Sequence, residues 1–599
     1  MYRAPLRELR FVIDELLGAA QLAACPDFAE YSDELAASVL EEAARFAQDV
    51  LDPLNQPGDK EGARWTEQGV VTAPGFREAY QQFVAGGWPQ LGAPPEFGGQ
   101  NVPQVLATAV QELWASANLA FKLCPMLTHG AVHALELSGS PAQQQQFLPK
   151  MINGEWTGTM VLTEPQAGSD LAQVRTRAVP DVRPGGSMGQ RFRIFGQKIF
   201  ITWGDHDMTS NTIHMVLGRI EGAPPGVKGI SLFIVPKFLV NEDGSLGARN
   251  EVRCVSIEHK LGIHASPTCV LAFGDQDGAI GYLVGEANRG LEYMFIMMNA
   301  ARLSVGLEGY SVGERAFQRA LDWARNRIQG KPPVPAPTGP APIINHPDVK
   351  RMLLMMKSST EAARAIALYA AMQLDLGAHS ADEDERAASQ ARGDLLIPIV
   401  KGWCTEIGNE ISAIGVQVHG GMGFIEETGA AQYIRDVRIT TIYEGTTGIQ
   451  SNDLIGRKLG RDRGAAMSAL ISDMTRELAA LDEENAAASA TRKAALDAVG
   501  LLKAATVSLL EKMASRPDLA MAVSVPYLRL CGYVAGGWMM AKASALAASK
   551  KGGPDRDFYE AKLRTGLFYA EHVLPQVSAL VKIVTKGAES VVDTDAALV

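Results

Sequence analysis

RFRIFGQKIFIT, residues 191–202, sets aromatic and β-branched residues against polar ones around a single glycine, the texture of a long strand with one face in a core. Working outward, TIHMVLGRI (212–220), GISLFIVP (229–236) and VRCVSI (252–257) have the same character and are separated by Gly, Pro and Asn clusters. These runs predict a compact β domain from Trp156 to about Val284. On its N-terminal side, from Asp33 to about Ile152, apolar residues recur at three and four, as in Leu35, Val39, Ala43, Phe46 and Val50, which predicts helices. Helical periodicity returns at Leu291 and continues to about Lys458. It is broken by KPPVPAPTGPAP (331–342), whose six prolines exclude a helix and predict a surface loop. After Arg461 the chain is Ala-rich, with Leu, Met and Val at helical spacing to about Val584 and turn signals at 516–518 and 551–555, so a further helical bundle is predicted. Strand-helix alternation is missing, which argues against a doubly wound sheet.

The bulk properties exclude several classes. With 599 residues and 47% hydrophobic content the chain can build roughly four domain-sized units. Lys and Arg number 56 against 67 Asp and Glu, a net charge of -11, which is the wrong sign for a phosphate backbone; no nucleic-acid partner is expected. The six cysteines, Cys25, Cys124, Cys254, Cys269, Cys404 and Cys531, show no C-x-x-C spacing and read as buried thiols in a reducing compartment. The most apolar stretch, Met521 to Ala541, is interrupted by Pro526 and Arg529, so no membrane span is expected. MYRAPLRELRFVIDELLG at the N-terminus mixes Arg3, Arg7 and Arg10 with Glu8, Asp14 and Glu15 and lacks the pattern of a signal peptide. It predicts a packed amphipathic helix in a cytoplasmic protein.

Few segments could carry chemistry. No P-loop is present, and Gly420-Gly421-Met422-Gly423 neither follows a predicted strand nor continues as G-x-G-x-x-G. His129 and His133 lie four apart, as zinc ligands on a helix would, but Gly130 stands where H-E-x-x-H needs its base, so packing or capping roles and no metal are expected. VLTEPQAGSDLAQV (161–174) puts Ser169 and Asp170 at a predicted helix N-terminus, a seat for an anion such as phosphate; an ordinary N-cap accounts for Ser169 equally well. Leu162, Thr163, Phe200 and Thr202 lie at strand ends, where hydroxyls and amides can bond the rim of a planar heterocycle, or simply belong to the β core. Arg302 interrupts an apolar helical run and must reach solvent or an anion; solvent is the expectation from that segment alone. In RITTIYEGTTGIQ (438–450), Glu444 is the only carboxylate between Asp436 and Asp453. Uncharged surroundings would raise its pKa toward the range of a base working near neutrality, whereas a solvated loop would leave it ordinary.

TEPQAGSD (163–170), KIFIT (198–202), the helix with Arg302, NRIQGK (326–331), QVHGGMGF (417–424) and YEGTT (443–447) occur in the order found in acyl-CoA dehydrogenases, and over residues 36–460 the chain resembles that family. Its N-terminal helix and C-terminal bundle are similar to those of bacterial members of about this length. The resemblance implies a mostly α fold with a central β-barrel-like domain and an extra C-terminal helical bundle, divided as 1–35, 36–157, 158–287, 288–461 and 462–599. It implies FAD, with Leu162, Thr163, Phe200 and Thr202 around the flavin ring and Ser169 at the phosphates of FAD, of CoA, or of both. Arg327, Gln329, Gln417, Gly420 and Gly421 would touch the FAD of a second subunit in a homodimer, with Thr446 and Thr447 beside the flavin nucleotide. On the substrate side it implies Arg302 near the CoA adenine, the Gly445 backbone at the acyl group, and Glu444 as the base that removes the α-proton. Members with the acid elsewhere carry it just before the arginine; here Asn299, Ala300 and Ala301 stand there. The implied reaction is oxidation of an acyl-CoA to the trans-2-enoyl-CoA, with electrons passing to an electron-transfer flavoprotein. An acyl-CoA oxidase would share flavin and base. A DNA-associated flavoprotein of this fold would need a basic extension, and the tail from Asp462 to Val599 mixes both charges. The chain departs from the family in Gly448 and Gln432, and in Phe200 where tryptophan is common.

Overall fold

The computed structural model describes every residue except 184, 185, 334–338, 483 and 551. The middle of the proline-rich stretch and the start of the turn at 551 therefore lie outside the described residues. The chain divides into two compact units. One comprises Met1, Ala43–Val102 and Ala117–Ala301; the other comprises Tyr2–Glu42, Pro103–Ser116 and Arg302–Val599.

The first unit holds the β domain. Its strands are β1 (Arg64–Thr66), β2 (Gly69–Val71), β3 (Trp156–Val161), β4 (Arg177–Pro180), β5 (Arg191–Thr202), β6 (Asn211–Ile220), β7 (Ser231–Pro236), β8 (Phe238–Val240), β9 (Leu246–Arg249), β10 (Val252–Ile257), β11 (Thr268–Phe273) and β12 (Ala279–Val284). The order in the large sheet is β10-β11-β5-β12-β7-β6-β3, and β4 pairs with both β5 and β6, closing β5, β12, β7, β6 and β4 into a ring. Phe192 and Ile194 of β5 point into its core together with Val216, Phe233 and Val235. Gly196 in β5 has φ +150, and a Cβ there would meet the Thr176 side chain at 2.7 Å. At this glycine β5 passes from pairing with β12 and β4 to pairing with β11, so one strand serves both the ring and its extension.

Helix Leu119–Ser138 covers β3 closely. The Gly158 amide donates to Thr128 Oγ1 at 3.0 Å, and a Cβ on Gly158 would lie 2.6 Å from that of Ala131. The hairpin β1-β2 interrupts a region whose periodicity predicts helices throughout. Three-residue strands joined by a short turn leave too short a pattern to register against long helical neighbours.

The second unit is helical. Helices Gly290–Asn326, Pro347–His379 and Glu383–His419 are followed, past the site described below, by Ala465–Ala479, Ala486–Ser515, Ser524–Ser549, Arg556–Phe568 and Gln576–Lys586. Gly532 on helix Ser524–Ser549 admits the ring of Trp403 against its backbone, which docks the C-terminal helices on helix Glu383–His419. The flanks of the proline-rich stretch pair with one another: Gln329 N–H donates to Ala341 O at 3.1 Å and Ile343 N–H to Arg327 O at 2.8 Å. The N-terminal segment is a short α-helical turn, Leu6–Arg10, continued by a π-helical turn, Phe11–Leu16, with Leu9, Phe11, Val12 and Ile13 buried. Arg7 pairs with Asp555 at 2.8 Å, Lys550 with Glu15 at 2.7 Å and Lys562 with Glu8, so both ends of the sequence are tied into one unit. Among the described residues no helix is long and apolar enough to cross a membrane.

Candidate active site

Helix Ala430–Val437 and the 3-10 turn Arg438–Thr441 lead into the segment that carries Glu444, and helix Thr447–Asn452 leads away from it. Glu444 has φ +54 and Gly445 φ +86, two consecutive left-handed residues. For a glutamate this conformation costs roughly 1 kcal/mol and persists only where neighbours hold it. Two side chains do so. Lys401, fully buried on helix Glu383–His419, donates from Nζ to the Gly445 carbonyl at 2.6 Å. Gln450, also fully buried, donates from Nε2 to the Glu444 carbonyl at 3.1 Å and the Gly445 carbonyl at 3.2 Å. Before the turn, the Tyr443 hydroxyl donates to Glu308, a buried carboxylate of helix Gly290–Asn326. After it, Thr446 caps helix Thr447–Asn452 by accepting from Ile449 N–H at 3.2 Å, and Thr447 donates to Glu406 at 2.6 Å.

Glu444 itself is half-buried, and burial pushes its carboxyl up to about 7; Lys401 and Arg302 pull against that rise and Glu308 adds to it. Burial pulls the Lys401 ammonium down to about 8, with Glu444, Glu308 and Glu406 opposing and Arg302 adding to the fall. A carboxyl that changes charge near neutrality, seated on a rigid turn, can take a proton from a weakly acidic carbon and return it.

The expectation that Arg302 faces solvent is corrected. The residue is 3% exposed, and its Nη1 pairs with Asp453 at 3.1 Å, while Asp453 also holds Arg457 at 2.9 Å. A guanidinium in an apolar helix was bound to find an anion, but Asp453 lies 151 positions away and on another helix, so the helical run alone could not reveal it. Arg327, Gln329, Gln417, Gly420 and Gly421 are all exposed in this unit, and the space where Cβ atoms of Gly420 and Gly421 would sit is open. Arg327 Nη2 donates to Gln329 Oε1 at 3.3 Å. Beyond them Met422, Phe424 and Ile425 are exposed, Phe424 to 85%.

In the first unit Leu162 and Thr163 follow β3, and both are half-buried. Their carbonyls are occupied: Lys198 Nζ donates to Leu162 O at 2.7 Å and Ile199 N–H to Thr163 O at 2.9 Å. Lys198, buried, also pairs with Glu164 at 2.9 Å, and Glu164 accepts from the Thr176 hydroxyl and amide, which locks this strand end. Phe200 has φ +59 and leaves 58% of its surface exposed; Thr202, half-buried, ends the strand. An uncovered aromatic ring beside threonines on a rigid strand end is a fitting rim for a flat heterocycle.

The helix N-terminus expected at Ser169 is not there. The segment Leu171–Gln173 is a single 3-10 turn, and Asp170 rather than Ser169 caps it, accepting from Ala172 N–H at 3.0 Å; Ser169 is exposed. Burial lowers His129 to about 4, and His133 contacts Glu136 at 3.3 Å. Lys401, Gln450 and Glu308 escaped the sequence reading, although LLIPIVKGWC (395–404) carried a signal of the kind that flagged Arg302: one charge in an apolar helical run.

Comparison with known proteins accounts for most of the chain. Models of the acyl-CoA dehydrogenase N-terminal, middle and C-terminal domains match residues 33–155, 159–276 and 288–459, and one described as acetyl-CoA dehydrogenase C-terminal like matches 468–595. The chain is 46% identical to the 3-methylmercaptopropionyl-CoA dehydrogenase of Ruegeria pomeroyi, over 98% of this chain and 99% of that protein. It is 33% identical to the broad-specificity linear acyl-CoA dehydrogenase FadE5 of Mycobacterium tuberculosis, over 100% of this chain and 99% of that protein. In fold it is similar to a Bacillus anthracis acyl-CoA dehydrogenase complexed with FAD, with TM-score 0.74, 20% identity, and 95% of this chain and 91% of that one covered. It is also similar to Caenorhabditis elegans ACDH-11 in complex with C11-CoA, with TM-score 0.77, 19% identity, and coverage of 98% and 96%. Full-length likeness to named dehydrogenases, together with family matches spanning both helical regions, the β domain and the C-terminal bundle, means that the chain belongs to the acyl-CoA dehydrogenase family of oxidoreductases.

Proposed function

We propose that this protein oxidises an acyl-CoA thioester to the trans-2-enoyl-CoA with Glu444 as the base, FAD as its cofactor and an electron-transfer flavoprotein as the acceptor of its electrons. The observation that carries the reading is the half-buried Glu444 carboxyl, raised to about 7 by burial and seated on a turn held by Lys401 and Gln450.

The residues present fit FAD. The uncovered Phe200 ring with Leu162, Thr163 and Thr202 suits the flavin, and the open backbone at Gly420 and Gly421, with Gln417, Arg327 and Gln329 exposed, suits the phosphates and adenosine of a second subunit's FAD. Thr446 and Thr447 would lie beside the flavin nucleotide, and Ser169 near a phosphate. Bound FAD would supply the acceptor for the hydrogen and electron pair that leave C3 of the acyl chain. Glu444 takes the C2 proton as its ionised form. Its backbone N–H is assigned to the thioester oxygen, where negative charge develops, and one such donor is worth roughly 3 kcal/mol. Acyl chain seated over Glu444 excludes water and strengthens both interactions. A Cβ on Gly445 would lie 2.7 Å from Gln450 Nε2, so the glycine lets that amide close on the turn, and the Gly445 backbone is the expected contact to the acyl group. Arg302, held on Asp453, acts on this reading as a fixed charge near Glu444.

Likeness to 3-methylmercaptopropionyl-CoA and butyryl-CoA dehydrogenases supports beginning a substrate panel with short thioesters. The test is anaerobic bleaching of the bound flavin by acyl-CoAs from methylmercaptopropionyl to palmitoyl, followed by turnover with an electron-transfer flavoprotein. Yellow protein that bleaches and reoxidises through that partner is expected. Peroxide formation in air at the turnover rate would contradict the dehydrogenase reading, and colourless protein that refuses FAD would contradict the whole of it.

A further inference from the structure

We propose that Lys401 is a positioning residue for Glu444: its ammonium fixes the left-handed turn through the Gly445 carbonyl and sets a buried positive charge beside the carboxyl. This inference rests on Glu444 being the base. Lys401 stands in LLIPIVKGWC (395–404), with Leu396, Ile399, Val400, Trp403 and Cys404 all fully buried around it. A lysine that merely filled space there would be disfavoured against leucine or methionine, because burying an ammonium is costly unless acceptors and opposite charge face it. Both are supplied by the catalytic segment. The Gly445 carbonyl accepts from Nζ at 2.6 Å. Facing charges are Glu444 on the turn, Glu308 and Arg302 on helix Gly290–Asn326, and Glu406 one turn further along the helix of Lys401.

The two roles are separable because Gln450 shares only one of them. It donates to the Glu444 and Gly445 carbonyls at 3.1 and 3.2 Å but carries no charge. Lys401 therefore both holds the turn and lowers the pH at which Glu444 ionises, whereas Gln450 only holds the turn. Glu308 works in the opposite direction to Lys401, and Arg302, which pairs with Asp453, works in the same direction as the lysine.

Single-turnover bleaching of the holoenzyme with saturating acyl-CoA, from about pH 5.5 to about pH 9.5, distinguishes these effects. Parent, Lys401→Met, Lys401→Arg, Gln450→Leu and Glu444→Gln are compared at equal bound flavin. Lys401→Met is expected to move the acid limb of the profile upward by about one pH unit or more, so that its rate near pH 6 falls at least ~10-fold further than its rate on the alkaline plateau. Lys401→Arg keeps the charge and should leave the limb in place, and Gln450→Leu should lower the plateau without moving the limb. If Lys401→Met does not yield folded holoenzyme, Lys401→Gln takes its place in the same comparison. An unmoved limb in the neutral Lys401 variant, or an equal movement in Gln450→Leu, overturns the proposal while leaving the base intact. Undiminished bleaching by Glu444→Gln overturns the base assignment, and the role of Lys401 with it.

Discussion

Glu444 links burial, charge and chemistry at one position. Its folded carboxyl is raised to about 7, above the ordinary carboxylate value it would have in the unfolded chain, so the carboxyl favours the folded state at low pH and that contribution is lost as pH rises through about 7. Glu444→Gln removes the ionisation. The variant is expected to match the parent in stability near pH 5 and to exceed it by about 1–3 kcal/mol near pH 8, read by denaturant unfolding. A parent whose stability relative to the variant is the same at both pH values would contradict the raised carboxyl. The glutamate was legible in the sequence because it is the only carboxylate between Asp436 and Asp453. Lys401 was not, because its partner is a backbone carbonyl 44 residues on, and sequence patterns record side chains rather than the carbonyls they seek. The helix start expected at Ser169 gives way to a single turn for a related reason: Gly-Ser-Asp reads as a helix start, and only the chain beyond it decides between a helix and a single turn.

Elements show a different balance. The β domain was readable from RFRIFGQKIFIT and its neighbours, but the ring is closed by β4, four residues that pair with β5 and β6 and have no texture of their own. Long helices were equally plain, while the contacts between them were not. Arg364 on helix Pro347–His379 is buried between Glu112 of helix Gln104–Ala117, at 2.8 Å, and Glu314 of helix Gly290–Asn326, at 2.9 Å. Arg364→Met would leave two buried carboxylates without their cation and is expected to cost roughly 3–5 kcal/mol in thermal or denaturant unfolding of the second unit. A loss under 1 kcal/mol would show that these acids are neutral, ordinary hydrogen-bonding groups. Asp375 gives a pH-dependent counterpart. Its carboxylate caps helix Gln104–Ala117 through the Gln104 and Val105 amides, at 2.6 and 2.9 Å, yet burial raises it to about 7. Stability from this group is lost as pH rises through about 7. Asp375→Asn should therefore flatten the pH dependence of unfolding between about pH 5 and pH 8.

For the molecule as a whole, the sequence order of helices, β domain and helices carried over directly, but the joining of its first and last segments did not. Ion pairs of Arg7, Glu8 and Glu15 with Asp555, Lys562 and Lys550 connect residues more than 500 apart, a separation across which no periodicity speaks. The exposed Met422, Phe424 and Ile425 beside Gly420 and Gly421 suit the face of a homodimer, the assembly in which one subunit would touch its neighbour's FAD. Light scattering is expected to give twice 64.1 kDa, and Phe424→Asp to give monomers that retain less FAD. Monomeric parent protein with full flavin content would contradict that arrangement. The central claim is tested most directly by anaerobic single-turnover bleaching of holoenzyme and its Glu444→Gln variant with the same acyl-CoA. Equal FAD content with a rate at least ~100-fold lower in the variant is expected, and bleaching at the parent's rate would contradict the account.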